Sequence, residues 1–204
     1  MASSSVHIRL ALPSDIPHVS SLENASDNLF LSFGMKEIAE IPPIPFESYE
    51  KHRVLEQLWV ATLPPELADG EARESVGFVQ VDCYENNGVY RTAYVHQISV
   101  SPKHSRKGIG KQMLEFVEKW ATSRSFEALD LTTFDHVPWN RPYYERLGFK
   151  VLTEEELSNG EMKSVREELK TEREDKLLGQ WPRVAMRKII VDDNGTPILS
   201  HAKS

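Results

Sequence analysis

One cysteine, Cys83, stands in 204 residues, so no intramolecular disulfide can form, and that scarcity fits a reducing compartment. Set in the strand-like run VQVDCY, its thiol reads as a small buried hydrophobe, not a nucleophile. Long apolar runs are missing too. No segment approaches the length of a membrane span, and the opening MASSSVHIRLALP has too short an apolar run for a secretory leader. The expectation is a cytoplasmic protein, with the nucleus also open to it and no membrane partner. Positive charge is in deficit, with 24 Lys and Arg against 31 Asp and Glu and a net charge of −7. That balance excludes a broad nucleic-acid surface. Two phosphate-binding signatures are absent as well: there is no GxxxxGK[ST] loop, and no GxGxxG followed by an acidic residue about twenty positions on. The chain is long enough for one domain with a full core and too short for two comfortable ones. Residues 1–192 are therefore expected as one domain, and 193–204 as a polar tail.

What is present is concentrated in Tyr94 to Lys111, YVHQISVSPKHSRKGIGK. A strand-forming run stops at Pro102, passes through a basic turn and enters a helix at Gly108-Ile109-Gly110. Glycine leaves the backbone bare, and Lys103, Arg106, Lys107 and Lys111 supply positive charge. The first helical N–H groups have no intrahelical partner. This order makes an anion cradle.

The same order resembles the acyl-CoA-binding motif of the GCN5-related N-acetyltransferases (GNAT), V-x-P-x-x-[QR]-x-x-G-x-[GA]. Val100, Pro102, Gly108 and Gly110 match it. The Gln or Arg position falls on Ser105, with Arg106 one residue later. Main-chain N–H groups can bind a pyrophosphate whatever the side chain, and Ser105 offers a hydroxyl. Further on, Tyr144-Glu145-Arg146-Leu147-Gly148-Phe149 is similar to the family's [LF]-Y-x-x-x-G-F signature. The tract LTTFDHVPWNRPYYERLGF, with the distant RVAMRK, further resembles a group of small acetyltransferases of this superfamily that have no assigned acceptor.

The rest of the chain fits around these motifs. Val6 to Leu12 alternates as a first strand, and Pro13-Ser14-Asp15 ends it. Ile16, Val19, Leu22 and Leu29 recur at helical intervals, with Glu23 and Asp27 at i,i+4 on one side. The tract Ile41 to Pro45 must be a connector, and a second helix follows with Phe46, Tyr49, Arg53, Leu55 and Leu58. Strands are expected over Leu58–Leu63 and Ser75–Tyr84, joined by a long polar loop from Pro64 to Glu74. Asn86-Asn87-Gly88 is a hairpin turn into Val89–Val100. Ile109, Met113, Phe116, Val117 and Trp120 form one helix face whose spacing is that of burial. Strands follow at Ala128–Thr133 and Phe149–Leu152, with Gly148 left-handed at the intervening helix end. From Thr153 to Gln180 charges of both signs alternate. This suggests a solvated helix, inserted either as decoration or across the mouth of the acceptor site. Arg183 to Val191 closes the sheet.

The resemblance implies an α/β GNAT fold: a mixed, mostly antiparallel sheet splayed between strands 4 and 5, with flanking helices and acetyl-CoA as co-substrate. No metal is expected. It places the coenzyme's pantetheine against Ile98 and Val100, and its pyrophosphate on Ser105, Arg106, Lys107, Gly108, Ile109, Gly110 and Lys111. Direct attack by an oriented amine needs no protein nucleophile. Tyr144 matches the family's tyrosine and is the candidate acid for the departing thiolate. For the base, the fourth strand carries His96 and Gln97, and His96 titrates in a useful range. Glu23 and Asp27 could substitute for it or attract a cationic amine. Trp139 packs its loop or lines the pocket. The superfamily often has Asn seven residues before the Tyr, where this chain has Val137; Asn140 lies four before it and either caps the short helix or contacts the acceptor. Three functions fit: transfer to a small-molecule or amino-acid amine, transfer to a peptide or protein, and a non-catalytic acyl-CoA-binding module. The partners expected are acetyl-CoA and a small amine, with a homodimer compatible.

Overall fold

A seven-stranded mixed sheet carries the molecule, in the order β1-β2-β3-β4-β5-β7-β6. The structure, a computed structural model, describes residues 6–64, 75–86, 88, 90–192 and 195–198. The loop expected from Pro64 to Glu74 lies almost wholly outside the described residues, as do Asn87 and Val89 of the hairpin turn and most of the tail. Two compact units divide the chain: Met1–Val81 with His96–Phe116, and Asp82–Val95 with Val117–Ser204. Strands β3 (Ser75–Asn86) and β4 (Tyr90–Val100) run through both.

In the first unit, β1 (His7–Leu10) pairs antiparallel with β2 (Leu58–Thr62), which pairs antiparallel with β3. Asp15 starts helix α1 (Ile16–Asp27). Its buried carboxylate takes two hydrogen bonds from Arg9, at 2.6 and 3.0 Å, and one from Leu12 N at 2.7 Å. The short α2 (Lys36–Ala39) and α3 (Phe46–Val54) follow. Every residue of β2 is buried because both its faces are covered. Leu58 and Val60 pack with Ile16, Val19, Leu22, Tyr49 and Phe78, while Trp59 meets Phe116 of α4 (Ile109–Ser123) at 5.7 Å between ring centres. Sequence periodicity missed two things here. Leu29 does not continue α1; it lies exposed in a 3-10 helix, Asn28–Phe33, and Leu55 falls beyond the end of α3. Gly77 admits the backbone of β4, because a Cβ there would stand 2.9 Å from Ser99 O and 3.1 Å from Met113 Cε.

In the second unit, β4 runs parallel to β5 (Ala128–Phe134), and the ladder covers only Thr92–Tyr94 against Ala128–Asp130, as a sheet splayed at this point requires. By contrast β5 pairs along its whole length with β7 (Arg183–Ile189), and β7 also takes β6 (Lys150–Val151), so the closing strand sits inside the sheet. Between β6 and β7 the charged segment folds as α6 (Glu154–Leu157) and α7 (Lys163–Glu174). It is more than a solvated face: Leu157, Val165 and Leu169 are buried with Tyr94 and Ala185. Tyr84 donates to Glu168 at 2.6 Å. A two-pronged ion pair, Arg187 to Asp130 at 2.6 and 2.7 Å, is buried between β7 and β5. Cys83 is not buried as its setting suggested but exposed. β2 accompanies β3 only as far as Gln80, so beyond it the strand is less covered.

Candidate active site

In the first unit the end of β4 leads through a 3-10 turn at Pro102–His104 into a loop with two left-handed residues, Arg106 at φ 60° and Gly108 at φ 79°. Left-handed residues in a turn curl successive N–H groups toward one concavity, which favours an anion. Helix α4 makes its first backbone bond from Gln112 N to Gly108 O at 3.0 Å. The N–H groups of Ile109, Gly110 and Lys111 precede that bond and lack an intrahelical acceptor. Lys103, Arg106 and Lys107 are exposed, and among the described residues no carboxylate pairs with them. Lys111 stands 3.6 Å from Glu115 one helical turn on. The Ser105 hydroxyl donates to Pro102 O at 2.9 Å, so its proton is engaged and the main chain supplies most of the cradle's donors. Ile109 is buried and can offer a ligand only its N–H. Ile98 and Val100 are half-buried on β4 just before the turn.

The same unit gathers polar groups around α1. Glu23 is buried and accepts hydrogen bonds from the Tyr49 hydroxyl and from Ile44 N, the latter at 3.3 Å. Burial pushes its pKa up, against the pull of those donors and of His96 on β4. Asp27, one turn along, is half-buried and accepts no hydrogen bond among the described residues. Burial, followed by the Glu23 charge, pushes its pKa up to about 7. Tyr49 is driven well above its ordinary value by burial and by Glu23, so it stays a donor. Ser26 donates to Glu23 O at 2.8 Å and shares a hydrogen bond with Ser99 Oγ at 3.0 Å, tying α1 to β4. His96 is exposed, its ring centre 6.1 Å from that of buried His52. His52 Nδ1 lies 2.7 Å from Ser48 O and 3.0 Å from Gln80 Nε2. The carboxylate spacing was visible in the sequence. Tyr49 and His52 carried only the weak signal of polar rings three apart on one helix face, and Gln80, on β3, carried none.

In the second unit, α5 (Arg141–Arg146) carries Tyr144, and Gly148 follows at φ 91°. The Tyr144 ring is held edge-on by Tyr143 and Phe149, at 5.4 and 5.8 Å. Its hydroxyl makes no hydrogen bond among the described residues, and burial raises its pKa, so the phenol keeps its proton at neutral pH. Asn140 takes the N-cap position of α5, but only through its main chain. Its main-chain oxygen receives Tyr143 N and Tyr144 N, at 2.8 and 3.1 Å, but its side chain makes no cap bond. Trp139 is exposed, and Val137 is core.

Known proteins share this fold. Residues 34–149 match the family described as the acetyltransferase (GNAT) family. Among solved structures, the NatC complex bound to Gag peptide and CoA superposes with a TM-score of 0.66 at 11% identity, covering 92% of this chain and 99% of that one. The N-acetylglutamate synthase of Neisseria gonorrhoeae, complexed with coenzyme A and N-acetyl-glutamate, gives 0.64 at 16% identity, over 94% of this chain but 36% of its own. The ribosomal-protein-S18-alanine N-acetyltransferase of Escherichia coli gives 0.59 at 15% identity, over 93% and 98%. These neighbours are named for a peptide, an amino acid and a ribosomal protein, so the shared fold does not select the acceptor. With its family match spanning the phosphate turn and the tyrosine signature, this chain belongs to the acetyltransferase (GNAT) family and is an acetyl-CoA-dependent N-acetyltransferase.

Proposed function

We propose that the enzyme transfers the acetyl group of acetyl-CoA to the primary amine of a small molecule or free amino acid, by direct attack of the amine on the thioester. The N–H groups from Ser105 to Gly110 and the side chains of Arg106, Lys107 and Lys111 hold the pyrophosphate. The main chain at Ile98 and Val100 pairs with the pantetheine amides. As the N–C bond forms the C–S bond breaks, and the thiolate takes the proton of Tyr144. The ammonium gives one proton to the group formed by His96, Glu23 and Asp27 before attack, the second N–H proton, released as the amide forms, restores the Tyr144 phenol, and orientation supplies much of the remaining rate. Trp139 and Asn140 keep the acceptor-side roles that the sequence suggested.

The observation that carries the reading is the pair Glu23 and Asp27 in the same compact unit as the anion cradle: that unit holds both a turn suited to a phosphate and a carboxylate pair suited to a cation. The preference for a small acceptor rests on α7. That helix lies over Tyr84 and Tyr94, so an extended peptide following β3 and β4 through the second unit would meet it.

The test is thiol release with a panel of primary amines and short peptides, on wild type and on Tyr144→Phe. Small amines should be turned over in preference to peptides. Tyr144→Phe should lose about 10²–10⁴ in kcat at unchanged acetyl-CoA affinity, since the proton matters mainly in the transition state. A kcat within about twofold of wild type would return Tyr144 to a packing role. Peptides turned over better than every amine would reverse the acceptor class.

A further inference from the structure

We infer that Asp27 is the carboxylate that takes the proton from the bound ammonium, and that Tyr49 positions it by fixing Glu23 as its charged neighbour; this rests on the acetyl-transfer reading above. The two carboxylates stand one turn apart on α1 and are not equivalent. Glu23 is buried and already occupied by two donors, the Tyr49 hydroxyl and Ile44 N. Asp27 is half-buried with no donor among the described residues. An unpaired carboxylate beside a like charge costs stability, and such arrangements persist where a proton or cation completes them during function.

The charged surroundings are few. Tyr49 faces the pair from α3 and feels both carboxylates, while His96 acts on Glu23 from β4. His52, also on α3, is turned to Ser48 O and Gln80. Of the other charged side chains here, Glu50 pairs with Arg53 on α3, Lys36 with Glu40 at α2, and Asp15 with Arg9 before α1, while His18 on α1, Glu37 on α2, and Glu47 and Lys51 on α3 are exposed. Glu23 is the charge that acts on Asp27. Two like carboxylates with one stabilised by donors push the proton onto the other. With its pKa pushed up to about 7, Asp27 is a stronger proton acceptor than an ordinary aspartate by about a thousandfold and still ionised in part at neutral pH. The ammonium gives one proton to Asp27, the freed lone pair forms the N–C bond, the second N–H proton restores the Tyr144 phenol that protonated the thiolate, and Asp27 returns its own proton to water before the next turnover.

Tyr49 makes the inference distinguishable from a general loss of structure. Removing its hydroxyl destabilises ionised Glu23, the shared proton settles there, and Asp27 no longer faces a charge. The Asp27 midpoint then falls, and the acidic limb of the rate profile moves to lower pH. A merely structural tyrosine would lower stability or rate without moving the limb.

Full-length wild type, Asp27→Asn and Tyr49→Phe are assayed for thiol release with one accepted primary amine between about pH 5.5 and 9, beside calorimetry with acetyl-CoA. The wild-type carboxyl resonances are titrated by ¹³C NMR, with Asp27→Asn giving the assignment. Asp27→Asn should lose about 10²–10⁴ of kcat together with the acidic limb, at unchanged coenzyme affinity. Tyr49→Phe should move the limb down by about one unit. An Asp27→Asn variant within about threefold of wild type and with the same limb overturns the assignment while leaving acetyl transfer standing. An Asp27 midpoint near the ordinary value of about 4 overturns it too, without recourse to activity. Absence of thiol release from every amine overturns it together with the acetyl-transfer reading. Should Asp27→Asn fail to fold, the aspartate-type carboxyl resonance whose midpoint falls in Tyr49→Phe, set apart from Glu23 by the different carbon shifts of the two side chains and by the opposite direction of its change, gives the assignment, and the wild-type midpoint decides.

Discussion

Asp27 bears a cost in this fold that its neighbour Glu23 is partly spared. Its pKa, raised from an ordinary 3.8 to about 7, means that the native state binds its proton more tightly than the unfolded chain. A raised carboxylate contributes stability that is fully present below the unfolded value and is lost as pH rises through the folded one. The window therefore runs from about pH 4 to about pH 7. Thermal denaturation across it should show wild type losing stability relative to Asp27→Asn. At most about 4 kcal/mol is at stake before solvent screening, so a gain of roughly 1–3 kcal/mol for the variant above neutrality is expected. Parallel curves for the two proteins would mean that Asp27 titrates as an ordinary aspartate. The i,i+4 spacing of the two acids was legible in the sequence, but their inequality was not, because Tyr49 and Ile44 approach Glu23 from a segment more than twenty residues away. The same limit explains Asp130 and Arg187. The sequence shows a strand in RVAMRK, whereas the bidentate partner lies 57 residues earlier, on another strand. Cys83 was misjudged because a strand's local pattern says nothing of how far its neighbour extends.

At the scale of elements, the backbone of the turn proposed to hold the phosphate was the most legible part, because its geometry is local. Glycine at Gly108, the break at Pro102 and an open helix start are properties of consecutive residues. Segment 153–180 was legible as helix but not in its attachment. Its charges suggested a solvated helix, yet Val165 and Leu169, four apart, make a narrow apolar stripe that docks with Leu157 on Tyr94 and Ala185. The stripe is short enough to be outvoted by the surrounding glutamates in any average over the helix, although burial of each such side chain is worth roughly 1.5–3 kcal/mol. Leu169→Ala should therefore cost about 2–5 kcal/mol in urea denaturation, as for other core truncations. The exposed Glu167→Gln on the same helix should cost less than about 0.5 kcal/mol. If Leu169→Ala proved as harmless as Glu167→Gln, α7 would be decoration, and the argument that it shields β3 and β4 from a peptide would lose its support.

Over the whole molecule, a net charge of −7 opposes the approach of a polyanionic coenzyme, and three cations without a carboxylate partner among the described residues stand where that opposition matters. Lys103, Arg106 and Lys107 are exposed beside the main-chain cradle, with no carboxylate partner among the described residues. Exposed charges act through solvent and are screened over about 8–10 Å at ordinary ionic strength, whereas N–H groups in close contact with a phosphate are screened much less. The two contributions can thus be separated by salt. Acetyl-CoA affinity of the wild type should weaken as sodium chloride rises from about 0.05 to 0.5 M, chiefly through a slower on-rate. Replacing Lys103, Arg106 and Lys107 together by alanine should weaken binding at low salt and flatten its salt dependence, so that the two proteins converge at high salt. Stopped-flow binding resolves this directly. The outcome that defeats the argument is a triple variant whose on-rate keeps the wild-type salt slope, since the field guiding the coenzyme would then come from elsewhere on the surface and the turn would act by main-chain contact alone.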